Sequence, residues 1–462
     1  MFKAEVYTRR RNELRKYLQE GLALFPSNNE SAMNYPANTF HYRQDSNFLY
    51  FFGLDKPGIS GVIDFESVND YLFGDDLTLD DIIWEGHLPS LKILGEKAGI
   101  KNVLPKAKLR DYLQDAIQKG RTVHYLPPYR DDTLLELASL TGLPHTQVNA
   151  RASMDLIRGV VALRSVKEQI EIKEISKAVD ITAEMHTMSM KMAHPGIYER
   201  EIAGRIEGIA LSHGTSVSFP IILSMNGQTL HNHKHDNLLE EGRMMVTDAG
   251  AETVNHYAGD ITRTVPVGGR FNQRQKEIYE IVLKAETWAI GQIKPGILNR
   301  DIHMGAARII AGGLMDLGLM KGDVEEAVAA GAHAMFFPHG LGHMMGLDVH
   351  DMEGLGEDNV GYTDKIKRSD QFGTAYLRLG KELQKGYVIT VEPGIYFIPV
   401  LIDKWKSEGK FKGFISYEKA ETYKDFGGIR IEDDVLVTDS GSKILGKPIP
   451  KTIAEIEETM KR

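Results

Sequence analysis

Five residues in the C-terminal part of the chain have side chains of the types that can bind divalent metal ions. Four are carboxylates and one is an imidazole, and they lie in five separate segments: Asp248, Asp260, His343, Glu392 and Glu432. Most of these segments are rich in apolar, strand-forming residues. A carboxylate on a buried strand is costly unless it is paired or binds a metal. Asp433 and Asp434 are each explained as a paired core acid or a turn acid, but four carboxylates with a histidine favour a metal site.

The donor set determines which ions fit this site. Four carboxylates and one imidazole are mostly hard oxygen donors, which suit manganese, cobalt, magnesium or zinc and do not suit copper(I) or iron–sulfur clusters. Bridging carboxylates can hold two metal ions about 3.5–4 Å apart, with a hydroxide shared between them. Two divalent cations would also offset the four negative charges of the carboxylates.

Six short segments match the pattern of one metallopeptidase family, in the same order. The chain resembles the pita-bread metallopeptidases, and within them the aminopeptidase P and prolidase branch. Any one match is weak, but six in order across nearly 190 residues are very specific. The matching segments are 248–250, 259–264, 339–343, 347–351, 391–394 and 430–434. Segments 43–48 and 81–86 resemble the leading domain of creatinase and aminopeptidase P, so the resemblance covers essentially the whole chain.

The resemblance implies a role for each matching residue. The five metal-binding residues would hold two divalent ions per subunit, Mn²⁺ in the first place, with Co²⁺ or Zn²⁺ as alternatives. Glu392 would also act as the base on the water between the metals. His350 would hydrogen-bond the scissile carbonyl or its oxyanion, and His231 would contact the substrate. Arg430 and His339 are assigned to the substrate-binding group, Arg430 through a ligand carboxylate that it holds and His339 as a supporting residue.

Two details depart from the simplest family pattern. One short segment contains three histidines where the relatives usually have one, and only His231 lies at the matching place, 17 residues before Asp248. We expect His233 and His235 to be exposed loop residues. Asp260 follows Asp248 by 12 residues, one more than in many relatives, which a short loop insertion would absorb.

An arginine would separate a dipeptidase from an aminopeptidase. Both branches cut the bond before proline, but a dipeptidase must bind the free carboxylate just past the proline, and arginine suits that geometry. Arg378 lies 14 residues before Glu392 and matches a prolidase arginine believed to bind that carboxylate; a solvated loop residue is the alternative. The insertion 401–426 also resembles prolidases. We therefore favour an Xaa-Pro dipeptidase, with an Xaa-Pro aminopeptidase that acts on longer peptides as the alternative.

Other functions known on this fold fit the residues less well. Some relatives keep the fold, lose the metals and serve as binding modules, whereas all five ligand positions are filled by suitable residue types here. A creatinase-type amidinohydrolase is disfavoured because that branch lacks the full metal set. Related phosphotriester hydrolases share the site, which leaves organophosphate hydrolysis conceivable as a side activity. The expected substrates are Xaa-Pro dipeptides or peptides with proline second.

The N-terminal part of the chain has an α/β pattern. Gly61–Phe65 and Thr122–Leu126 are predicted to be strands, and Leu109–Gln118 is predicted to be a helix. Together with the resemblance, this pattern predicts an aminopeptidase P-like α/β domain over residues 1–155.

A long helix is predicted to open the catalytic domain. Apolar residues at steps of three and four predict helix from Arg164 to Met192, with the methionines of its second half filling the core. We place the domain boundary near residues 155–163. The catalytic pita-bread domain is therefore expected over residues 163–462.

The catalytic domain contains an internal repeat. Segments 195–202 and 295–302 share five of their eight residues, and a sixth position exchanges one acid for another. Each segment follows a long predicted helix and opens another one. We therefore predict two related halves with helices packed on strands, and a site between them that draws ligands from both.

The composition excludes several other classes of protein. The 462 residues include no cysteine, which rules out disulfides, thiolate zinc sites, iron–sulfur clusters and cysteine nucleophiles. The formal net charge of −9 gives no support to nucleic-acid binding. No apolar stretch reaches the roughly 18 residues of a transmembrane helix, so no membrane association is expected.

Two further expectations concern location and assembly. The first ten residues have no signal-peptide pattern, which predicts a cytoplasmic protein. The resemblance implies a homodimer in which the N-terminal domain of one subunit lies near the active site of the other. Trp84 would then line a neighbour's cleft, or else be buried in its own domain.

Overall fold

Helices and strands alternate along residues 1–461, the part of the chain that the computed structural model describes. They form two units. The first contains Met1–Arg164 and Glu353–Asn359, and the second contains Ser165–Met352 and the residues from Val360 onward. The predicted boundary region 155–163 lies inside a helix, and the return of 353–359 to the first unit was not anticipated.

The first unit is built on one five-stranded sheet, in the strand order β6-β5-β4-β1-β7. Its strands are β1 Leu22–Pro26, β2 Ala32–Tyr35, β3 Asn38–Thr39, β4 Ser60–Asp64, β5 Asp70–Gly74, β6 Asn102–Pro105 and β7 Val123–His124. Its helices are α1 Ala4–Leu14, α2 Ser46–Phe52, α3 Leu79–Glu85, α4 Leu91–Ala98, α5 Lys108–Gln118, α6 Asp131–Thr141 and α7 Met154–Ser165. β2 and β3 pair with each other outside the main sheet.

The predicted α/β character of this unit is confirmed. The two predicted strands correspond to β4 and β7, and the predicted helix corresponds to α5. α5 forms because Leu109, Leu113 and Ala116 repeat at helical spacing, and all three are buried in the core beside the sheet. Trp84 on α3 is 86% exposed, so the alternative that it is buried in its own domain is wrong.

The second unit carries two three-stranded sheets, ordered β10-β9-β8 and β11-β14-β15, and a β12-β13 pair. Its strands are β8 Ile222–Ser224, β9 Met244–Ala249, β10 Ile261–Pro266, β11 Val388–Val391, β12 Gly394–Tyr396, β13 Gly428–Arg430, β14 Asp433–Val437 and β15 Ser442–Ile444. The later helices are α8 Gln169–Met192, α9 Glu199–Ser212, α10 Gln273–Gln292, α11 Asn299–Asp316, α12 Val324–Ala330, α13 Glu357–Gly361, α14 Pro399–Ser407, α15 Tyr417–Glu421 and α16 Ile453–Thr459.

The prediction of one continuous helix over 164–192 is wrong. α7 ends at Ser165 and α8 begins at Gln169, because Glu168 and Glu171 form a capping box that starts a new helix. Between the helices, the Lys167 N–H donates to the Gly386 carbonyl at 2.8 Å. The Lys167 ammonium also lies 2.8 Å from the Asp351 carboxylate, and both side chains are 1% exposed. These contacts with residues distant in sequence stabilise the interruption between α7 and α8.

The predicted internal repeat is visible in the hydrogen bonds. Gly196 and Gly296 both have left-handed backbones, with φ of 86° and 89°, in the turns before α9 and α11. The Gly196 N–H donates to the Leu239 carbonyl at 3.0 Å, and the Gly296 N–H donates to the Leu383 carbonyl at 2.9 Å. α8 packs on α9 as α10 packs on α11. Each half therefore has a helical hairpin joined by the same turn.

Strand pairing brings the motif segments of the two halves together. Asp248 on β9 is paired with Thr262 on β10. Thr262 in turn forms an isolated bridge with Glu432, whose N–H donates to the Thr262 carbonyl at 3.1 Å. Three motif segments are thereby fixed in register by the backbone alone. Within residues 1–461, none of the helices is long and apolar enough to cross a membrane.

Candidate metal centre

All five expected metal ligands lie in the second unit, and the four carboxylates lie at or next to strand ends. Asp248 is the penultimate residue of β9, and Asp260 immediately precedes β10. Glu392 directly follows β11, and Glu432 lies between β13 and β14. His343 lies in a loop whose next residue bridges to β11. Rigid strands therefore position the four carboxylates, which is what a preorganised site requires.

Three of these residues converge on one point. Asp260, His343 and Glu432 are buried and each offers a ligand atom within 4.8 Å of the other two. The His343 Nε2 lies 3.4 Å from Asp260 Oδ2 and 3.7 Å from Glu392 Oε1. Glu392 thus adjoins the same cluster through the imidazole.

Asp248 lies beside Asp260, is held by an arginine and has one oxygen without a hydrogen-bond partner. Arg430 donates from a terminal guanidinium nitrogen to Asp248 Oδ2. Within residues 1–461, the buried Asp248 Oδ1 and Asp260 Oδ1 have no hydrogen-bond partner. Two buried carboxylate oxygens without donors fit a site for a cation, because an unpaired buried carboxylate is otherwise strongly unfavourable.

The imidazole of His343 is oriented by the backbone. Its Nδ1 lies 3.0 Å from the Met344 carbonyl oxygen, which can only accept, so Nδ1 carries the proton and donates. The backbone N–H of His343 donates separately to Thr390 Oγ1 at 3.0 Å. The Nδ1–H tautomer follows from this carbonyl partner, which leaves the Nε2 lone pair directed at the carboxylates. A backbone carbonyl behind a ligand histidine is a common arrangement in metal sites.

Burial and mutual repulsion raise the pKa of the clustered carboxyl groups. The pKa of Glu392 is raised to about 7, chiefly by burial. Burial, followed by repulsion among the neighbouring carboxylates, raises the pKa of Asp260 and Glu432 well above the usual range. A bound divalent cation would offset this accumulated negative charge, and the oxygen-rich donor set matches such an ion. The residues present therefore fit a divalent metal.

Arg430 and His339 meet at a tyrosine beside the cluster. Arg430 donates from Nε to Thr262 Oγ1 at 3.1 Å and from a terminal nitrogen to the Tyr396 hydroxyl at 3.0 Å. The His339 Nε2 lies 2.9 Å from the same hydroxyl, and its Nδ1 lies 3.7 Å from Glu392 Oε2. Burial and the Arg430 cation lower the pKa of His339 to about 3, so this imidazole is neutral.

A cleft of about 610 Å³ opens directly onto the cluster. His231, His350 and Arg378 line it together with all five expected ligands. The His350 ring lies 4.4 Å from the His343 ring, in an edge-to-face arrangement. The apolar part of the wall contains Phe219, Pro220, Ile222, Leu230, Val349, Phe372, Ile398 and Leu401. The cleft therefore combines a charged floor with apolar walls.

The three neighbouring histidines take different positions. His231 is exposed at the cleft, and partial desolvation and the Arg430 cation lower its pKa. His233 is exposed and in a loop as predicted, but it also lines the cleft. His235 is half-buried rather than exposed, because its Nε2 lies 3.1 Å from the Ile221 carbonyl. The expectation of an exposed His235 is wrong for this reason.

Comparison with known families identifies the family to which the chain belongs. Residues 173–439 match the model of metallopeptidase family M24, and residues 7–125 match the aminopeptidase P N-terminal domain. The chain belongs to metallopeptidase family M24. The resemblance read from the six motifs and the two N-terminal segments is thereby confirmed, as is the fold of a leading α/β domain followed by a pita-bread domain.

Individual relatives of this M24 chain come from both branches. It is 33% identical to the Xaa-Pro dipeptidase of Homo sapiens over 96% of this chain and 89% of that protein. It is 30% identical to aminopeptidase P from E. coli with the inhibitor Pro-Leu, with a TM-score of 0.80 over 99% and 98% of the two chains. The Pseudomonas aeruginosa aminopeptidase PepP is 28% identical, with a TM-score of 0.82.

Several residues of the M24 site were not found from the sequence. Tyr396 joins Arg430 to His339, and Thr262 donates to Glu432 Oε2 at 2.6 Å. Neither has a chemically distinctive pattern, although each lies within a motif segment or within four residues of one.

The interpretation of Asp433 as a paired core acid fits the structure. Arg263 lies 2.7 Å and Lys451 lies 2.6 Å from its carboxylate.

Proposed function

We propose that the chain is an Xaa-Pro dipeptidase, which hydrolyses the bond between an N-terminal residue and a following proline with two divalent metal ions. The observation that carries this proposal is the convergence of Asp260, His343 and Glu432 at the floor of a cleft that also contains Arg378. The dipeptidase relative, similar over 96% of the chain, supports it.

The proposed ligands are Asp248, Asp260, His343, Glu392 and Glu432, and the proposed ions are two Mn²⁺ per subunit. When bound, such ions polarise the scissile carbonyl and lower the pKa of a water molecule. Cobalt and zinc fit the same donors, and one of the similar structures is a zinc-substituted E. coli aminopeptidase P in complex with product.

Glu392 is the proposed general base. Its carboxylate is half-buried at the cleft and lies beside His343. Its Oε2 lies 3.7 Å from His339 Nδ1 at the floor of the cleft, where a carboxylate can take a proton from a bound water. In this role Glu392 takes a proton from the attacking water and later gives one to the leaving proline nitrogen.

His350 and His231 are the proposed contacts to the reacting part of the substrate. Both line the cleft, and an imidazole N–H from His350 would donate to the scissile carbonyl oxygen as negative charge develops there. His231, which is exposed at the cleft, would contact the substrate. His339 would support Glu392, and Arg430 would hold Asp248 in its ligating orientation.

Arg378 is the proposed partner of the dipeptide's terminal carboxylate. It is half-buried in the cleft wall. Burial is the largest cause of the lowered pKa of His343, and the nearby Arg378 cation lowers that pKa further. A planar guanidinium suits a carboxylate better than any other side chain.

An Xaa-Pro aminopeptidase is the second candidate, favoured by the similarity to aminopeptidase P structures over 99% of the chain.

A rate comparison tests this function. The purified chain with Mn²⁺ is given Ala-Pro and, separately, Ala-Pro-Ala, and kcat/KM is measured for each. A clear preference for Ala-Pro supports the dipeptidase, and a clear preference for Ala-Pro-Ala supports the aminopeptidase. If neither substrate is hydrolysed, both proposed functions are refuted.

Assembly as a homodimer, which the resemblance implies, is a separate proposal. The sedimentation mass of the purified chain tests it.

A further inference from the structure

The insertion 401–426 contributes directly to the wall of the cleft. α14 begins at Pro399, and Ile398 and Leu401, at its start, both line the cleft. Trp405 lies four residues after Leu401 and therefore on the same face of the helix. It is 3% exposed, so α14 is anchored by a buried aromatic ring one turn away from the substrate.

A second segment, residues 371–378, forms the adjoining part of the wall. Phe372, Tyr376 and Arg378 from this segment all line the cleft. The segment contains only one short helical turn, so outside contacts must hold its shape. One such contact is the Tyr362 hydroxyl, which donates to the Leu377 carbonyl at 2.5 Å.

Aromatic rings connect the insertion to this segment. The Trp405 ring lies 5.6 Å from the Phe372 ring, and the Phe372 ring lies 6.0 Å from the Tyr376 ring, both edge-to-face. The Lys410 ammonium lies 4.3 Å from the centre of the Trp405 ring and 6.0 Å from that of the Phe372 ring. Such ring pairs stabilise a fixed geometry beyond the area that they bury. The chain of rings ends two residues before Arg378.

We propose that Trp405 is a positioning residue that sets the length of peptide the site accepts. It fixes Phe372 and, through it, the segment that carries Arg378, so that an apolar surface and a cation face the substrate from one side. A proline ring that ends in a carboxylate matches this pair of features, whereas a longer peptide places its carboxylate elsewhere. The inference rests on the proposed Xaa-Pro hydrolysis and extends it to the choice between substrate lengths.

The test uses the ratio of kcat/KM for Ala-Pro to that for Ala-Pro-Ala, measured with Mn²⁺ present. We expect Trp405→Ala to lower this ratio by about tenfold, because small displacements of a substrate-positioning group are costly. The loss should fall mainly on KM for Ala-Pro. Trp405→Phe keeps an aromatic ring against Phe372 and should restore most of the ratio.

A second tryptophan supplies the matched control. Trp288 on α10 is half-buried against α11, where it contacts Gly305, and it is not among the residues that line the cleft. Trp288→Ala therefore removes a tryptophan from another helix of the same unit without touching the wall. It should leave the substrate ratio at the wild-type value even where it lowers thermal stability. If Trp405→Ala does not fold, Phe372→Ala removes the other ring and is judged by the same ratio.

The outcomes separate the inference from the function on which it rests. Wild-type protein that hydrolyses neither peptide, or that prefers Ala-Pro-Ala, overturns the proposed dipeptidase and the inference with it. Wild-type protein that prefers Ala-Pro, with a ratio unchanged by Trp405→Ala and Phe372→Ala, overturns the inference alone. An equal fall in the ratio for Trp288→Ala also overturns it, because the effect would then be general.

Discussion

The backbone N–H of Asp260 donates to the carboxyl group of Asp434 at 2.9 Å, deep inside the second unit. Asp434 is 0% exposed, and burial together with the neighbouring Asp260 raises its pKa well above the usual range. The contact joins Asp260, the residue before β10, to β14, the strand that begins directly after Glu432. Asp434 is therefore part of the frame that holds two proposed ligands, although the sequence allowed it to be an ordinary core acid.

Replacing Asp434 should weaken metal binding. Asp434→Ala leaves a buried backbone N–H without an acceptor and frees the Asp260 segment, so we expect divalent metal affinity to fall about 10- to 100-fold. Asp434→Asn keeps an oxygen acceptor of the same size and should stay close to wild type. Competition with a metal-sensitive chelating dye measures both. Equal affinities for the Ala variant and the wild type would contradict the framing role.

Removal of metal should abolish activity. The proposed ligands are mostly hard oxygen donors, so dialysis against a chelator should eliminate Ala-Pro hydrolysis and added Mn²⁺ should restore it. Turnover is followed by the release of free proline, with the metal content checked by elemental analysis. Full activity in a sample shown to contain no metal would refute the proposal.

The buried carboxyl groups of the cluster should contribute less to the stability of the metal-free protein as pH rises. Burial raises the folded-state pKa of Glu392 to about 7 and raises that of Asp260 and Glu432 well above the usual range. The folded state then retains protons that the unfolded state releases above pH of about 4.3, so the contribution of these groups to the free energy of unfolding falls above that pH. Buried histidines act in the opposite direction: burial lowers the pKa of His339 to about 3, so its contribution grows as pH rises to about 6.5.

Thermal unfolding in the presence of a chelator, at pH 5.5 and pH 8, measures this dependence. Glu392→Gln removes one of the titrating carboxyl groups and leaves the histidines, so its Tm relative to the wild type should be higher at pH 8 than at pH 5.5. Saturating Mn²⁺ binds only the folded state and should raise the wild-type Tm at pH 8. The same difference between variant and wild type at both pH values would be inconsistent with a raised pKa of Glu392.

Glu392→Gln should reduce turnover by several orders of magnitude. The substitution keeps the size of the side chain but removes the charge and the base, so both metal retention and water activation suffer. The rate is measured at saturating Mn²⁺, with bound metal quantified so that the two effects are distinguished. A variant with about a tenth of the wild-type rate would place the base elsewhere.

Arg378→Ala should impair the dipeptide far more than the tripeptide. Loss of a charge-assisted contact to the terminal carboxylate costs on the order of 2–4 kcal/mol, or roughly 30- to 1000-fold in kcat/KM for Ala-Pro. Ala-Pro-Ala carries its carboxylate one residue further on, so its rate should fall only modestly. The measurement is kcat/KM for both substrates.

The tripeptide is an internal control for this variant, because loss of metal or misfolding lowers both rates alike. Arg300→Ala is the matched substitution, since the Arg300 side chain is 42% exposed, pairs with Asp301 at 3.5 Å and is not among those that line the cleft. It should leave both rates unchanged. Equal losses on the two substrates in Arg378→Ala would remove Arg378 from the carboxylate role and favour the aminopeptidase.

The sequence predicted the family and the convergence of ligands because the necessary information is local. Each proposed ligand lies in a short motif with apolar neighbours, most of which form strands, and the order of the motifs is specific. The repeat around Gly196 and Gly296 was predictable for the same reason, because the turn is encoded within eight residues. Helix α5 also followed directly from apolar spacing.

Other features depend on contacts between distant residues. The interruption between α7 and α8 rests on Lys167, which is held by Gly386 and Asp351 far along the chain. The link between Arg430 and His339 depends on Tyr396, and the wall of the cleft depends on Trp405 meeting Phe372. Periodicity and spacing carry no information about such pairs.

The shared turn of the two halves has a consequence for symmetry. Asp248 follows Leu239 by nine residues, and Glu392 follows Leu383 by nine, so each half brings a carboxylate to an equivalent point relative to its own glycine turn. Two ions held only by such equivalent oxygens would be interchangeable. The single imidazole of His343 removes that equivalence, because only one ion can take the nitrogen donor. A stepwise titration with metal should therefore fill two unequal positions, one before the other.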